Sequence, residues 1–181
     1  KIALVPRLSR GELAVLLLEE LKLGEVVKQR WTPTSIPGFH PPQAGPAGEP
    51  AHQPIDIGTS WARPWIEEVL RLGVPGLELY PDRTFQPEQP VRRADYAVVN
   101  QAILTLITGD AALATRYLGE PSRFADVRSD FYAYNAIALN AERGIMPADP
   151  ITGLFRPDDP ISGAEALLII RQLQNAVRLE F

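Results

Sequence analysis

The chain repeats an ordered set of motifs, and this repeat constrains the fold more than any other feature of the sequence. Residues 56–95 and 126–165 present the same elements in the same order: an Asp, an aromatic–Ala pair, a Gly followed by Val or Ile, Phe-x-Pro, and a short box ending in an acidic residue. The offset between the copies is 71 residues at Ala62 and Ala133 and is one residue shorter further on. Because each copy is too small to bury its own apolar face, the copies are expected to share one core.

Each unit is predicted to form a helix, a loop rich in glycine and proline, and a second helix. In the later copy, residues 136–143 combine helix-forming residues with an apolar face, and Gly144 is a helix stop signal. Ser162 precedes Glu165 by three residues, which is the spacing of a capping box, and the apolar run 166–170 follows. Since the alternating pattern of half-buried strands is absent, the predicted fold class is all-α.

The N-terminal residues match only the second half of this unit. Ser9 and Glu12 have the spacing of a capping box. Leucines then recur at helical spacing over residues 13–21, and Gly24 is expected to end or weaken the helix. Because this half-unit has no first helix, we expect its helix to leave an apolar patch, covered by the linker, by another chain or by residues outside this sequence.

We predict a single domain over residues 1–181. The second helices of its units, which start near Arg10, Arg93 and Gly163, are expected to pack together as the central core. Within the domain we distinguish a partial first repeat (1–31), a linker rich in proline and glycine (32–55), a second repeat (56–109), a connector (110–123) and a third repeat (124–181).

Composition excludes several classes of function. The net charge of -4 argues against a nucleic-acid partner and offers no basic stripe for an anionic membrane. The lack of cysteine excludes disulfides, thiolate catalysis and Cys-ligated metals. No apolar run approaches the roughly 18 residues that a transmembrane helix needs. The N-terminal residues are too short for a signal peptide, so an exported protein would carry its signal outside this sequence.

Enzymatic function is not indicated by the sequence. His40 and His52 are the only histidines, and both lie in the proline-rich linker, where no packed surroundings would hold a catalytic imidazole. Neither a phosphate-binding glycine loop nor a dinucleotide fingerprint occurs. We therefore predict no catalytic residues, no cofactor and no metal.

The ordered motifs resemble the S-layer homology repeat of bacterial cell-surface proteins. That unit has an Asp-Val and Trp-Ala start, a helix ending at Gly-Ile, a loop with Phe-x-Pro, and a Thr-Arg-Ala-Glu box opening the second helix. The resemblance covers about two and a half units and implies a pseudo-threefold helical bundle. It also implies a non-catalytic, extracellular module that anchors a larger protein to the cell envelope and contacts acidic cell-wall polysaccharide, with other surface-layer domains as further partners.

In the family, the box lines a groove between units and binds polysaccharide, often through a pyruvate ketal carboxylate. The matching residues are Arg10 and Arg93, each at a helix start whose free N–H groups are expected to attract an anion. The residues alone leave a second role open, in which each arginine ties loop carbonyls together. Gly163 stands at the third box, so we expect that groove to have lost its cation and to bind no acidic saccharide. A gain of binding in Gly163→Arg would indicate that the groove is otherwise intact.

Other candidates have divided roles. Trp61 and its counterpart Tyr132 could stack on sugar or fill the core. Asp56 and Asp126 are expected to cap the first helices or hold the following loop, although the family's groove lies close to them. The predicted glycan-binding residues are therefore Arg10, Arg93, Trp61, Asp56 and Tyr132.

The acidic box residues are assigned to helix capping rather than to catalysis. Glu12 and Glu165 are expected to cap reciprocally with Ser9 and Ser162. Asp95 has Arg92 in place of a capping hydroxyl, so it is expected to act on the helix dipole. An alternative function is a protein-interaction scaffold at the cell surface that keeps this fold without binding glycan.

Overall fold

The computed structural model describes residues 1–30 and 53–177, and these residues are helical without any strand. The fold is therefore all-α, as predicted. Most of the proposed linker, together with His40 and His52, lies outside the described residues. Among the described helices, none has the length and apolarity to cross a bilayer. The α-helices are α1 (Arg10–Glu19), α2 (Leu23–Arg30), α3 (Arg63–Leu72), α4 (Arg93–Thr108), α5 (Tyr134–Glu142) and α6 (Gly163–Val177), and two short 3₁₀ helices span Ile2–Leu4 and Ala111–Ala114.

Local sequence signals set most helix ends. Pro64 occupies the first turn of α3, where its missing N–H has no helical partner to lose. Gly73 and Gly109 end α3 and α4 in the left-handed conformation, with φ of 64° and 69°. Ser9 and Glu12 form a reciprocal capping box at the start of α1.

The expectation that Gly24 ends the N-terminal helix was wrong. The chain breaks earlier, at Lys22, whose φ is 53°, and Gly24 lies inside α2. Leu23 and Val26 on α2 are buried, and α2 packs against α4. Apolar burial on both sides of the break outweighs the helix-weakening preference of one glycine.

The helices pair between successive units. α1 packs on α3 and α4 packs on α5, so the second helix of each unit meets the first helix of the next. Leu13, Leu16 and Leu17 are accordingly buried, and α1 has no open apolar patch. Within the described ranges 1–30 and 53–177, α6 is the second helix that has no first helix packed against it. It packs against the Ile2–Leu4 3₁₀ helix instead.

A ring of three backbone hydrogen bonds marks the pseudo-threefold axis. The N–H of Leu8 donates to the carbonyl of Ile161 (2.6 Å), that of Val91 to Leu8 (2.8 Å), and that of Ile161 to Val91 (3.1 Å). These residues are equivalent, each preceding its box, and all three are buried. The ring brings the starts of the second helices together, and α6 contacts both α1 and α4 further along.

Candidate functional site

A groove of about 290 Å³ lies where the units meet. Its walls are the loop 76–81, the start of α4 and the side chain of Tyr132. The groove brings together three residues singled out from the sequence: Arg10, Asp95 and Tyr132. It also includes Arg92, whereas Arg93, Trp61 and Asp56 do not line it.

Arg10 is tied to the loop of the second unit and is not a free cation. Its guanidinium donates to the carbonyls of Phe85 (2.9 Å), Gly76 (3.0 Å) and Glu78 (2.9 Å). It also lies over the rings of Phe85 and Tyr80, and only 9% of the residue is exposed. Burial lowers the pKa of Arg10. These contacts favour the alternative role of the sequence analysis, in which the arginine holds loop carbonyls.

Arg93 repeats this arrangement in the next unit. Its Nε donates to the carbonyl of Phe155 (2.8 Å), and the guanidinium lies 4.8 Å from the Phe155 ring centre. The same group forms an ion pair with Glu165 and a long bond to the carbonyl of Pro147 (3.4 Å). Arg93 thus joins the second unit to the third. Its guanidinium is engaged by protein groups, which favours this joining role over the predicted glycan contact.

The helix starts are not open anion sites either. At α1, the N–H groups of Arg10 and Gly11 donate to carbonyls of the 87–89 loop, both at 2.9 Å. At α4, the N–H groups of Arg93 and Ala94 donate to carbonyls of the 157–159 loop, also at 2.9 Å. The expectation that these N–H groups attract an anion was wrong, because the following unit satisfies them.

Asp56 and Asp126 hold the loops that carry the buried phenylalanines. Asp56 accepts from the N–H groups of Phe85 (2.8 Å) and Gln86 (2.7 Å) through its two carboxylate oxygens. Asp126 accepts in the same way from Phe155 and its successor, at 2.8 and 2.6 Å. This is the loop-holding alternative of the sequence analysis, and it replaces the predicted glycan contact of Asp56.

The loop residue that follows each phenylalanine explains why a carboxylate is needed there. Gln86 and Arg156 have φ of 56° and 60°, a left-handed conformation that side-chain-bearing residues rarely adopt. The carboxylates of Asp56 and Asp126 stabilise that conformation by accepting the two consecutive N–H groups.

Arg92, Asp95 and Tyr132 form one hydrogen-bonded cluster at the groove. The Tyr132 hydroxyl donates to Asp95 Oδ1 (2.8 Å), and Arg92 donates to both carboxylate oxygens (2.9 and 3.1 Å) and to the Tyr132 oxygen (3.3 Å). Asp95 therefore accepts hydrogen bonds from the side chains of Arg92 and Tyr132. The sequence had indicated instead that it acts on the helix dipole. Tyr132 is 63% exposed, and the Phe131 ring lies beside it with its centre 4.6 Å away.

The pKa values of this cluster follow from its contacts. Burial raises the pKa of Asp95, but the bonds from Arg92 and Tyr132 outweigh it and leave the pKa below its ordinary value. Burial and the bond to Asp95 raise the pKa of Tyr132 to about 12. The cluster therefore holds a carboxylate, a guanidinium and a neutral phenol at neutral pH.

The third box differs from the first in both of its predicted features. Ser162 Oγ accepts from the N–H of Glu165 (3.2 Å), but the Glu165 carboxylate pairs with Arg93 and does not complete a reciprocal cap. A Cβ at Gly163 would lie 1.8 Å from the carbonyl oxygen of Ile2. The N-terminal segment therefore occupies the space that a side chain at the third box would need, and an arginine at position 163 would clash with it.

Trp61 lies apart from the groove. It is 56% exposed, and its ring centre is 6.1 Å from that of Trp65. Trp65 Nε1 donates to Glu19 (2.7 Å), which ties α3 to the end of α1. Trp61 is thus an exposed aromatic surface and not a core residue.

Sequence reasoning overlooked Arg92 as a groove residue. The sequence analysis considered Arg92 only as the residue that replaces a capping hydroxyl. Its side chain makes no hydrogen bond to the N–H groups at the start of α4. The available signal was its position directly before the box arginine, on the side of the helix start that faces Tyr132.

Comparison with known proteins finds a family model that matches two segments of the chain. Residues 56–97 and 123–167 match the model of the S-layer homology domain. No curated protein matches the chain. The first matched segment begins at the loop-holding Asp56 and the second contains Asp126, and they end within α4 and α6. Both of these segments are thus similar to the S-layer homology domain.

Proposed function

We propose that this chain is a non-catalytic module that attaches a larger protein to the bacterial cell surface by binding a cell-wall polysaccharide in the groove. The match of residues 56–97 and 123–167 to the S-layer homology domain supports the anchoring role and a location at the cell envelope. The cluster of Arg92, Asp95 and Tyr132 supports the choice of site, and it is the observation that carries the proposal.

The chemistry of the cluster suits a sugar. The exposed ring of Tyr132 offers an apolar face on which a pyranose can stack. The Asp95 carboxylate, together with the Gln89 amide in the groove wall, can bond sugar hydroxyls. Because the groove combines one aromatic face with a few fixed polar groups, it has the composition of a small-molecule binding site.

An acidic substituent such as a pyruvate ketal would contact Arg92. Its Nη1 donates at 3.2 Å to Asp158, whose side chain is 76% exposed. An exposed pair of this kind contributes roughly 0–1 kcal/mol, so a ligand carboxylate can replace Asp158 at little cost. Arg92 would keep Asp95 as its second partner and remain oriented toward the ligand.

The test is calorimetric titration of the full chain with a pyruvylated wall polysaccharide and with the same polymer after removal of pyruvate. Arg92→Gln should weaken binding of the pyruvylated polymer about tenfold, as expected for loss of one charge-assisted bond. Asp158→Asn should strengthen it, because the competing carboxylate is gone. Arg128→Gln is the matched control, since Arg128 is also paired and exposed but does not line the groove.

Two results would overturn this proposal. If Arg92→Gln and Arg128→Gln bind the pyruvylated polymer equally well, the site is elsewhere. If the wild-type chain binds no wall polysaccharide, the alternative of a protein-interaction scaffold is favoured, with the exposed surface at Trp61 as its first place to probe.

A further inference from the structure

The α4–α5 interface is polar at a position where the α1–α3 interface is apolar. Asn100 of α4 and Asn140 of α5 are both fully buried, and Asn100 Nδ2 donates to Asn140 Oδ1 over 3.0 Å. When the boxes and the aromatic–Ala pairs are aligned, the equivalent residues of α1 and α3 are Leu17 and Val69. These two are buried to the same extent, so the same place in two similar interfaces is built from different chemistry.

The amide of Asn140 has a fixed orientation, which makes the bond between the two asparagines specific. Its Nδ2 donates to two carbonyls, that of Ala97 on α4 (3.0 Å) and that of Ala136 on α5 (2.8 Å). Because carbonyls only accept, the nitrogen must face them, and the amide oxygen is left for a donor. Asn100 supplies that donor, while its own oxygen makes no hydrogen bond within residues 1–30 and 53–177.

Exchange of the two first helices would separate this pair. The helices α3 and α5 are alike in length, with 10 and 9 residues, and each follows an aromatic–Ala pair. With α5 on α1, Asn140 would face Leu17, and with α3 on α4, Asn100 would face Val69. A buried amide without its partner is costly, whereas an apolar pair is not, so the penalty falls on the wrong combinations.

We infer that Asn100 and Asn140 form a selectivity pair, which makes α4 accept α5 and reject α3. The selectivity pair thereby fixes the order in which the units are joined. Neither asparagine lines the groove, so this role is separate from the proposed binding of polysaccharide.

The first test is a double-mutant cycle on the full chain, measured by urea unfolding. Asn100→Leu and Asn140→Val should each lower the unfolding midpoint by about 1 M, because each leaves one buried amide without its partner. The double variant, which copies Leu17 and Val69, should recover most of this loss. Thr105→Val is the matched control and should not lower the midpoint, since the buried Thr105 hydroxyl of α4 makes no hydrogen bond in the described part of the chain.

The second test measures which first helix packs on α4, by trapping with disulfides in a chain that has no native cysteine. A Cβ at Gly11 would lie 3.3 Å from Cβ of Ala62, near the separation found in disulfides, and Ala94 and Ala133 hold the equivalent places. During oxidative refolding from urea, Ala94→Cys with Ala133→Cys traps α5 on α4, and Ala94→Cys with Ala62→Cys traps α3 on α4. The latter disulfide should be about tenfold more abundant in the double asparagine variant than with both asparagines present, because the penalty of an unpaired buried amide is gone.

The inference is overturned if the double variant is no more stable than the single variants, because the asparagines then do not act as a pair. A double variant that does not fold gives this same result. The inference is also overturned if the disulfide between positions 62 and 94 is as rare in the double variant as with both asparagines present, or if Thr105→Val increases it equally. Neither readout depends on glycan binding.

Discussion

Replacing Arg10 by glutamine should destabilise the fold rather than a ligand complex. The guanidinium donates to three carbonyls of one loop and lies over two aromatic rings. Glutamine is neutral and too short to reach all three carbonyls. The change therefore leaves loop acceptors unsatisfied in the position where the second unit is joined to α1.

The magnitude follows from these contacts. The carbonyl of Phe85 is buried, and an unsatisfied buried acceptor costs about 1–3 kcal/mol. The carbonyls of Gly76 and Glu78 are partly buried and can be rehydrated, so they add less. The lost cation–π contacts add roughly 1 kcal/mol. We expect Arg10→Gln to lower the free energy of unfolding by about 3 kcal/mol, on the scale of these two effects together.

Urea unfolding followed by far-ultraviolet circular dichroism measures this loss. Arg92→Gln is the matched control, because its exposed ion pairs contribute less than about 1 kcal/mol. The reasoning is refuted if the two variants have the same unfolding midpoint. A further refutation would be an Arg10→Gln protein of wild-type stability that fails to bind polysaccharide, since Arg10 would then be a ligand residue.

Three further predictions concern the loops, the N-terminal segment and the acidic cluster. Asp56→Ala and Asp126→Ala should each lower the free energy of unfolding in urea by about 1–2 kcal/mol, because each leaves two backbone N–H groups without an acceptor. Clearly unequal losses would contradict equivalent roles for the two aspartates. Gly163→Ala should lower the free energy of unfolding by about 1–3 kcal/mol and speed amide exchange over Ile2–Leu4. Gly24→Ala should not lower it, because the nearest atom to a Cβ at Gly24 is Glu68 Oε1 at an ordinary contact distance of 3.8 Å. The pKa of Asp95 is lowered, so its contribution to stability is present above the unfolded-state pKa near 4 and is lost as pH falls through the folded-state pKa. Tyr132→Phe removes one of the bonds that lower this pKa and should reduce the loss of stability in acid, measured by thermal unfolding at a series of pH values. An unchanged pH profile would argue against the Tyr132–Asp95 bond.

The sequence predicted the units and their helices well because the signals are local. Glycine stops, Pro64 in a first turn and the Ser9–Glu12 box act within a few residues, so they can be recognised without knowing the packing. The predicted start of a second helix near Arg93 is confirmed, because α4 begins at Arg93. Phe85 and Phe155 are buried, because an aromatic residue in a Gly/Pro-rich loop gains stability by packing against the helices.

The pairing of helices between units could not be read from the sequence. An apolar stripe on α1 shows that a partner is required but not which helix supplies it, and the expected gap was therefore assigned to α1 instead of α6. The contacts of Arg10 were left undecided for the same reason. A guanidinium can hold carbonyls or bind an anion, and only the position of the loop 76–81 decides between them.

All three boxes join neighbouring parts of the fold, two of them through an arginine and the third through a glycine. This changes where an acidic ligand is expected. Arg10 and Arg93 each reach into the loop of the next unit, while Gly163 makes room for the N-terminal segment that takes the place of such a loop. The arginine at this position of the box therefore joins neighbouring units, and its presence does not by itself indicate an anion-binding groove. The preceding position, occupied by Arg92 in the second unit, faces the groove, whereas its equivalents are the serines Ser9 and Ser162. Binding of an acidic sugar should accordingly be confined to the groove at Arg92, with a stoichiometry of one ligand per chain in the calorimetric titration.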